Sequence, residues 1–581
     1  MPTARKPAVF GRRFALALWR LSRVYWTSPD AKWGALLLAG AIALELGAVY
    51  GNLLLSDAER RALDALELRQ PGAFLAAIGL FAVIMLGFTL VSAFRVYLRQ
   101  QLEIRWRRGL TAHYLARWVS AQAYCLAELH LGEVDNPDQR IAEDVRDFVA
   151  SFLGLSLSLL SAVVTLFSFG GLLWTLSRHW PLELGGMELR IPGMMLWVAV
   201  FYATLATLLT HWVGRPLVPL NFDRLRFEAD FRYGLVRFRD NIEAVALSRG
   251  EDLERLGALE RFQNIMKNWR ALIGAQRNLT LLTTGVGQAN GLVPLLVAAP
   301  AYIAGHLTLG GIAQIRFAYG QVSGALGWLV FAYQEIARWR ANIERLATFA
   351  DVMDATAFEL EHAGVRVVAS DGAALRIQDL RLEYPDGSVL LDRASASAGA
   401  GDRVAITGPS GSGKTILLRA LANIWPFGHD RIEVPARAHT LFLPQHPYLP
   451  LGSLRAVVSY PAREGEHSDE RIGAVLRLLH IEHLEERLGD VEPWDQHLSP
   501  YEQQLVALAR VLLNEPQWVF LDKATSELDE AMEKRVYELL TERLPQSTVI
   551  SVVHRVALEA YHERRWRLAP HPHAPATLEA A

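Results

Sequence analysis

The residues with the clearest capacity for chemistry lie in one octapeptide, Gly408, Pro409, Ser410, Gly411, Ser412, Gly413, Lys414 and Thr415. Glycines at this spacing let backbone N–H groups close around phosphate oxygens, and a helix that follows turns its positive end toward them. The Lys414 ammonium is placed to meet the β- and γ-phosphates of a nucleoside triphosphate. The Thr415 hydroxyl is placed to ligate Mg²⁺. The strand-like DRVAIT precedes the loop and a helical pattern follows it, which is the context this chemistry requires.

Two further positions extend the reading. QWVFLD is an apolar strand that ends on Asp522, a carboxylate suited to hold the same Mg²⁺. VISVVHR is a buried-type strand that ends on His554, whose neutral imidazole is expected to contact the γ-phosphate.

These residues need a scaffold, and the composition shows two. From about residue 355 onward, short β-branched runs alternate with helical patterns, as in an α/β domain. Before about residue 340 the chain is dominated by apolar stretches. The chain has 581 residues, too many for one ordinary domain, and 51% are hydrophobic. A net charge of −2 gives no global basic field, so nucleic acid is not an expected partner. The single cysteine, Cys125, excludes an intramolecular disulfide.

A helix needs about 20 apolar residues to cross a bilayer. Six stretches are candidates: Trp33 to Leu55, Ala73 to Phe94, Ser151 to Leu176, Met194 to Val213, Leu279 to Ile303 and Ile312 to Ala332. The last two carry Gln288, Asn290, Gln314, Arg316 and Gln321, which must face a partner helix or a water-filled path. In the third, Ser156, Ser158, Ser161, Thr165 and Ser168 form a stripe that fits either a hydrophilic cavity or close helix contacts. Basic residues crowd the N-terminal stretch (Arg12, Arg13, Arg20, Arg23, Lys32) and the segment after the second span (Arg99, Arg105, Arg107, Arg108). The positive-inside rule then places both termini in the cytoplasm. The start of the chain reads as a retained amphipathic helix at the membrane surface. Two charged segments with helical periodicity, about 95–150 and 215–277, read as helices projecting into the cytoplasm.

The motifs together resemble an ABC transporter. GPSGSGKT, LPQHPYLPLGSLR, LSPYEQQ, LDKATSELD and VVHR follow the order of that family's P-loop, Q-loop, signature, Walker B with D-loop, and H-loop. The resemblance implies that Tyr384 stacks on adenine, that Gln445 senses Mg²⁺ and contacts the membrane domain, and that Ser499 of the signature belongs to the nucleotide site. In the membrane half, IRWRRGLTAHYLARW, VDNPDQRIAEDV, FEADFRYGLVRFRDNIE and LVAAPAYIAG resemble the D-subfamily. That branch includes bacterial fused permease–ATPases for peptides and cobalamin (BacA-like) and peroxisomal acyl-CoA transporters. The resemblance covers about residues 15–570. It implies a half-transporter in the bacterial inner membrane that binds ATP with Mg²⁺ and pairs with a second half-transporter, as a homodimer or a heterodimer. The transported solute would be a peptide, a cobalamin-like molecule or an acyl compound.

The expected fold is multidomain, an all-α six-span transmembrane domain followed by an α/β P-loop ABC ATPase domain. The expected boundaries are an amphipathic segment at 1–32, the transmembrane domain at 33–345 amid membrane lipid, a linker at 346–364, the nucleotide-binding domain at 365–569 and a disordered tail at 570–581.

Two positions depart from the family pattern. Lys523 follows the Walker B Asp522, where the family has a catalytic glutamate. An ammonium has no acceptor and cannot take a proton from water. The signature reads LSPYE, with Pro500 and Tyr501 in place of two glycines. Proline removes an N–H donor and tyrosine adds bulk. In the family one chain's P-loop and Walker B face the other chain's signature, so neither a homodimer nor a heterodimer with a standard partner leaves a fully standard site. Three readings stay open: slow hydrolysis with help from His554 or Glu527, a nucleotide-regulated scaffold that moves no solute, or ordinary hydrolysis. A membrane-anchored P-loop kinase or signalling ATPase is the remaining alternative from another class.

Overall fold

The computed structural model describes residues 12–120, 124, 136–178, 181–184, 187–362, 364–370, 372, 374–435, 439–571 and 574–580. Cys125 lies outside them, as do the first 11 residues of the expected amphipathic segment. The chain forms two compact units. One comprises Met1–Leu115 and Asn136–Thr348, and the other Ala116–Asp135 and Phe349–Ala581.

The first unit is helical. α1 (Arg12–Trp26) is followed by α2 (Ala31–Glu67), α3 (Pro71–Val119) and α4 (Pro137–Leu176). A short hairpin, β1 (Pro181–Leu184) with β2 (Met187–Arg190), precedes α5 (Met194–Gly214), α6 (Leu217–Asp240), α7 (Ile242–Ser248), α8 (Glu251–Ile303) and α9 (Leu309–Glu361). α3 and α8 each hold an apolar stretch and a charged one in a single helix. The charged segment at 95–119 therefore continues the second span and that at 251–277 leads into the fifth, whereas 217–248 forms α6 and α7, set off by turns at 215–216, 241 and 249–250.

Large apolar side chains on these helices point outward: Leu75 is 69% exposed, Leu86 63% and Phe201 72%. In α3 only 6% of the most apolar window is buried. A water-soluble domain does not leave so continuous an apolar surface, whereas lipid solvates it. Five helices are long and apolar enough to cross a membrane among the described residues: α2, α3, α4, Met194–Asp240 and α8. The sixth expected span, Ile312 to Ala332, lies in α9 and is not among these five; the side chains at 329–331 lie outside the described residues.

The interior of this unit holds Phe169, Leu173, Met195, Ala298, Ile315 and Tyr319. Long-range polar contacts fix the helices further. Arg345 on α9 grips Asp144 on α4 with both ends of its guanidinium, Nε to Oδ2 at 2.8 Å and Nη2 to Oδ1 at 2.6 Å. Arg140 adds a third contact to Asp144 at 2.7 Å. Asn268 on α8 donates to the Leu220 carbonyl on α6 at 3.0 Å.

The second unit is α/β. Its ten-stranded sheet has the order β3-β7-β4-β5-β12-β11-β6-β10-β9-β8. The strands are β3 (Val365–Ser370), β4 (Leu375–Glu383), β5 (Val389–Ala398), β6 (Arg403–Thr407), β7 (Gly428–Pro435), β8 (Thr440–Leu443), β9 (Trp518–Asp522), β10 (Thr548–Val552), β11 (Arg564–His571) and β12 (Ala574–Ala580). β6, β10, β9 and β8 run parallel. β9 is buried from Trp518 to Leu521 and β10 along its whole length, as both faces of a parallel sheet are covered. The helices used below are α10 (Lys414–Leu421), α11 (Leu454–Ser459), α12 (Asp469–Leu478), α13 (Pro500–Asn514) and α14 (Glu530–Arg543).

The expected linker at 346–364 is mostly helix, since α9 continues to Glu361. One expectation is corrected. The tail at 570–581 is not disordered across its length. β11 runs to His571, and β12 pairs antiparallel with it and parallel with β5, burying Ala576. The composition PHPHAPATLEAA carries no strong strand pattern; the open edges of β11 and β5 supply the hydrogen-bond partners that order it.

Candidate functional site

The phosphate-binding loop leaves the sheet at the end of β6, between β10 and β11, and enters α10. Its glycines are needed where they stand. Gly408 has φ +146°, and an added Cβ would lie 2.6 Å from the Leu568 carbonyl oxygen. Gly413 has φ +93° and would meet Leu390 at 2.9 Å. No other residue type adopts these angles in that space at low cost. Gly413 caps α10 without a side chain, so the first N–H groups of the helix keep their capacity to bind an anion.

Lys414 is almost fully buried at the base of the loop. Its Nζ donates to the Gly408 carbonyl at 2.7 Å and the Pro409 carbonyl at 2.6 Å. Ser412 is buried beside it, and the Ser412 N–H bonds back to the Pro409 carbonyl. Next along the helix, the Thr415 hydroxyl donates to Asp522 Oδ1 at 3.2 Å. Residues 107 positions apart thus present a hydroxyl and a carboxylate to one point, the hard oxygen donors a Mg²⁺ ion takes. The residues present fit a nucleotide phosphate with its metal.

Lys523 follows Asp522 at the end of β9 with φ +53°, in the left-handed region that a non-glycine residue rarely occupies. His554 lies just beyond the end of β10. Partial burial, then the charges of Lys523 and Lys414, hold its imidazole below the usual range, with Asp522 pulling the other way. Lys414 is lowered by burial and then by Lys523, again against Asp522. Lys523 and Asp522 therefore act in opposite senses on Lys414 and His554, and for both the balance favours the neutral form.

The signature is a helix start. Ser499 caps α13 through a reciprocal box: Ser499 Oγ accepts from the Glu502 N–H at 3.3 Å, and Glu502 Oε2 accepts from the Ser499 N–H at 2.9 Å. Pro500 occupies the first helical turn, where its missing N–H costs nothing to the helix. Tyr501 packs against the apolar core of the unit. LSPYE is thus a good helix start whose first helical position lacks an N–H and whose second carries a ring packed on the core. Tyr384 sits at the end of β4 in a turn closed by Ser388, with its side chain accessible. Gln445 follows β8 and is half-buried.

Three polar residues escape a motif-by-motif reading. Gln504 on α13 is 1% exposed, and its Nε2 donates to the Gln445 carbonyl at 3.0 Å and to Ser526 Oγ at 3.1 Å. Its Oε1 accepts from the Glu527 N–H at 3.0 Å. Arg510 donates to the Val457 carbonyl at 3.0 Å and the Tyr448 carbonyl at 2.9 Å. Burial lowers it to about 10. Glu533 on α14 accepts from the Thr525 hydroxyl at 2.6 Å and from Arg555 at 2.9 Å. The visible signal is a Gln and an Arg on the apolar face of an otherwise buried helix, where an unpaired polar group is costly.

Residues 21–303 match the family described as ABC transporter transmembrane region 2, and residues 391–526 match the family described as ABC transporter. The inner membrane ABC transporter ATP-binding protein YddA of Escherichia coli is 31% identical over 538 residues, covering 92% of this chain and 94% of that protein. The chloroplastic ABC transporter D family member 2 of Arabidopsis thaliana is 30% identical over 634 residues, covering 95% and 87%. Among solved structures, a bacterial Atm1-family ABC exporter with ATP bound superimposes with a TM-score of 0.67 at 20% identity, covering 92% of this chain and 93% of that one.

Proposed function

The chain belongs to the ABC transporter family as a fused permease and ATP-binding half-transporter with D-subfamily homologues, and we propose that its dimer moves a solute across the bacterial inner membrane using ATP that it binds well and hydrolyses slowly. Family membership carries nucleotide binding and dimer formation. Mg²⁺, the inner membrane, cytoplasmic termini, the choice of homodimer or heterodimer, and a peptide, cobalamin-like or acyl solute belong to the proposal.

The observation that carries the slow step is Lys523 at the end of β9, beside Asp522 and within the charge reach of His554. In this reading Thr415 and Asp522 hold Mg²⁺, which supplies charge neutralisation between the phosphates when bound. Lys414 and the loop N–H groups hold the phosphate oxygens. Tyr384 stacks on the base, Gln445 faces the metal, and Ser499 serves the partner's nucleotide. The loop residues Pro409, Ser410, Gly411 and Ser412 shape the cradle. Lys523 offers no acceptor for the proton of an attacking water. The imidazole of His554, with its pKa held down beside Lys523 and Lys414, is the base this reading uses, and Glu527 stands exposed on the loop after β9.

The test is turnover by the purified protein against its Lys523→Glu, Pro500→Gly, Tyr501→Gly variant, with ATP binding measured on both. Both should bind ATP with Mg²⁺, and the variant should turn over faster; equal turnover would sink the slow-hydrolysis reading. A scaffold would bind ATP without moving solute into or out of reconstituted vesicles.

A further inference from the structure

The transmembrane unit contains a polar cavity of about 420 Å³, within the usual range of small-ligand sites. Glu45, Arg95, Arg99, Ser161, Thr165 and Gln321 line it. A second cavity of about 360 Å³ shares Gly154, Ser158 and Trp328 with the first and has Glu335 in its wall. Three of the five hydroxyl residues of the third-span stripe, Ser158, Ser161 and Thr165, therefore line this open space.

Most of the charged and polar groups here have partners. Glu45 is 7% exposed and accepts from Arg95 Nη1 at 3.1 Å. Glu335 accepts from the Ser151 hydroxyl at 2.6 Å, and the Trp328 indole N–H donates to Ser158 at 3.1 Å. Arg99 differs. Its Nε is buried and has no hydrogen-bond partner. A guanidinium cannot shed its proton, and leaving one of its N–H groups buried and unpaired is costly. Arg99 lies just past the apolar stretch of the second span, where an ionisable group facing a cavity marks a solute path by default. In the first cavity Glu45 and Arg95 cancel, and Arg99 leaves one net positive charge beside the hydroxyls.

We propose that this cavity takes the transported solute by an oxyanion, a carboxylate or phosphate, with Arg99 as the residue that selects it. The Glu45–Arg95 pair positions the guanidinium side of the cavity, and Ser161, Thr165 and Gln321 donate to the rest of the anion. Glu335 gives the adjoining cavity the opposite sign, which sets the direction in which an elongated solute lies. The inference rests on the transporter reading, because the cavity lies in the transmembrane unit.

The test uses the full-length protein in phosphatidylcholine nanodiscs, with N-acetyl-trialanine and its C-terminal amide as probes in calorimetry. The acid should bind about tenfold more tightly than the amide. Arg99→Gln should abolish that preference and Arg99→Lys should retain part of it, which separates loss of charge from loss of fold. A second arm measures retention of phosphatidylglycerol against phosphatidylcholine by native mass spectrometry. Retention that depends on Arg99, without discrimination between the soluble probes, keeps the oxyanion site and assigns its ligand to a lipid headgroup. Overturning it takes equal or absent binding of acid and amide together with lipid retention indifferent to Arg99→Gln. A fluorescent ATP analogue titrated into the same samples reports separately on the nucleotide domain. Its failure to bind would strike the transporter reading and leave the Arg99 result standing.

Discussion

The side-chain amide of Gln504 donates to the backbone carbonyl of Gln445 at 3.0 Å, across 59 residues of sequence. The same amide holds Ser526 and the Glu527 N–H, so one buried glutamine joins the segment after β8 to the segment after β9. Gln504→Ala should leave these groups unpaired and cost about 1–3 kcal/mol of stability. Thermal unfolding of the full-length protein should show a lower midpoint, with weaker binding of a fluorescent ATP analogue. Gln504→Glu keeps the acceptor for Glu527 but turns a carboxylate oxygen toward the Gln445 carbonyl, and should cost at least as much. An unchanged midpoint in Gln504→Ala would show that the amide bears no structural weight.

Replacing Lys523 should be felt at His554. The ammonium is one of the charges that lower the imidazole, so Lys523→Ala should raise the His554 pKa, and Lys523→Glu should raise it further by adding an attracting charge. An NMR titration of histidine-labelled protein, with the signal assigned through His554→Asn, reads this directly. Identical titration in all three proteins would remove Lys523 from the electrostatics of the site.

Asp144 is 3% exposed and receives three guanidinium contacts, two from Arg345 and one from Arg140. Asp144→Asn removes the charge that balances both arginines and should cost about 3 kcal/mol. Arg345→Ala should cost less, since the Arg345 side chain is 40% exposed and Arg140 still holds the carboxylate. Chemical denaturation in detergent would rank the two. A larger loss for Arg345→Ala would place the stabilisation elsewhere on α9.

Burial, and then the charge of Arg403, press the His562 imidazole below its ordinary value of 6.5, against the hydrogen bond to the Leu558 carbonyl. The unfolded chain therefore takes up a proton at a higher pH than the folded one. The neutral form's contribution to stability is complete above about pH 6.5 and declines as pH falls through and below that value. Melting midpoints between pH 5 and pH 8 should fall on the acid side, and His562→Asn should flatten the slope. A parallel profile in wild type and variant would falsify this assignment.

β12 closes the gap between β11 and β5, so removing residues 574–581 exposes two strand edges and uncovers Leu568 and Ala576's neighbours in the sheet core. The truncated protein should melt at a lower temperature and self-associate more readily, as unpaired edges do. Size-exclusion profiles identical to those of the full chain would show that the strand contributes no protection.

The amino-acid sequence by itself determined the phosphate loop, the apolar spans and the two-part layout. Each of these is written in contiguous residues: eight for the loop, about 20 for a span, five for the strand that ends on Asp522. It also exposed Lys523 and the LSPYE signature as departures, because a motif fixes which residue type belongs at each place. Tertiary structure alone decided the rest. Thr415 meets Asp522 across 107 residues, Arg345 meets Asp144 across 201, and Glu45 meets Arg95 across 50. No local periodicity encodes such pairs, because they arise from how strands and helices are ordered in space. The same holds for β12, whose weak pattern is completed by neighbouring strands, and for Gln504 and Arg99. Their identities were plain in the sequence, but burial beside particular partners, or without one, is a property only the folded chain possesses.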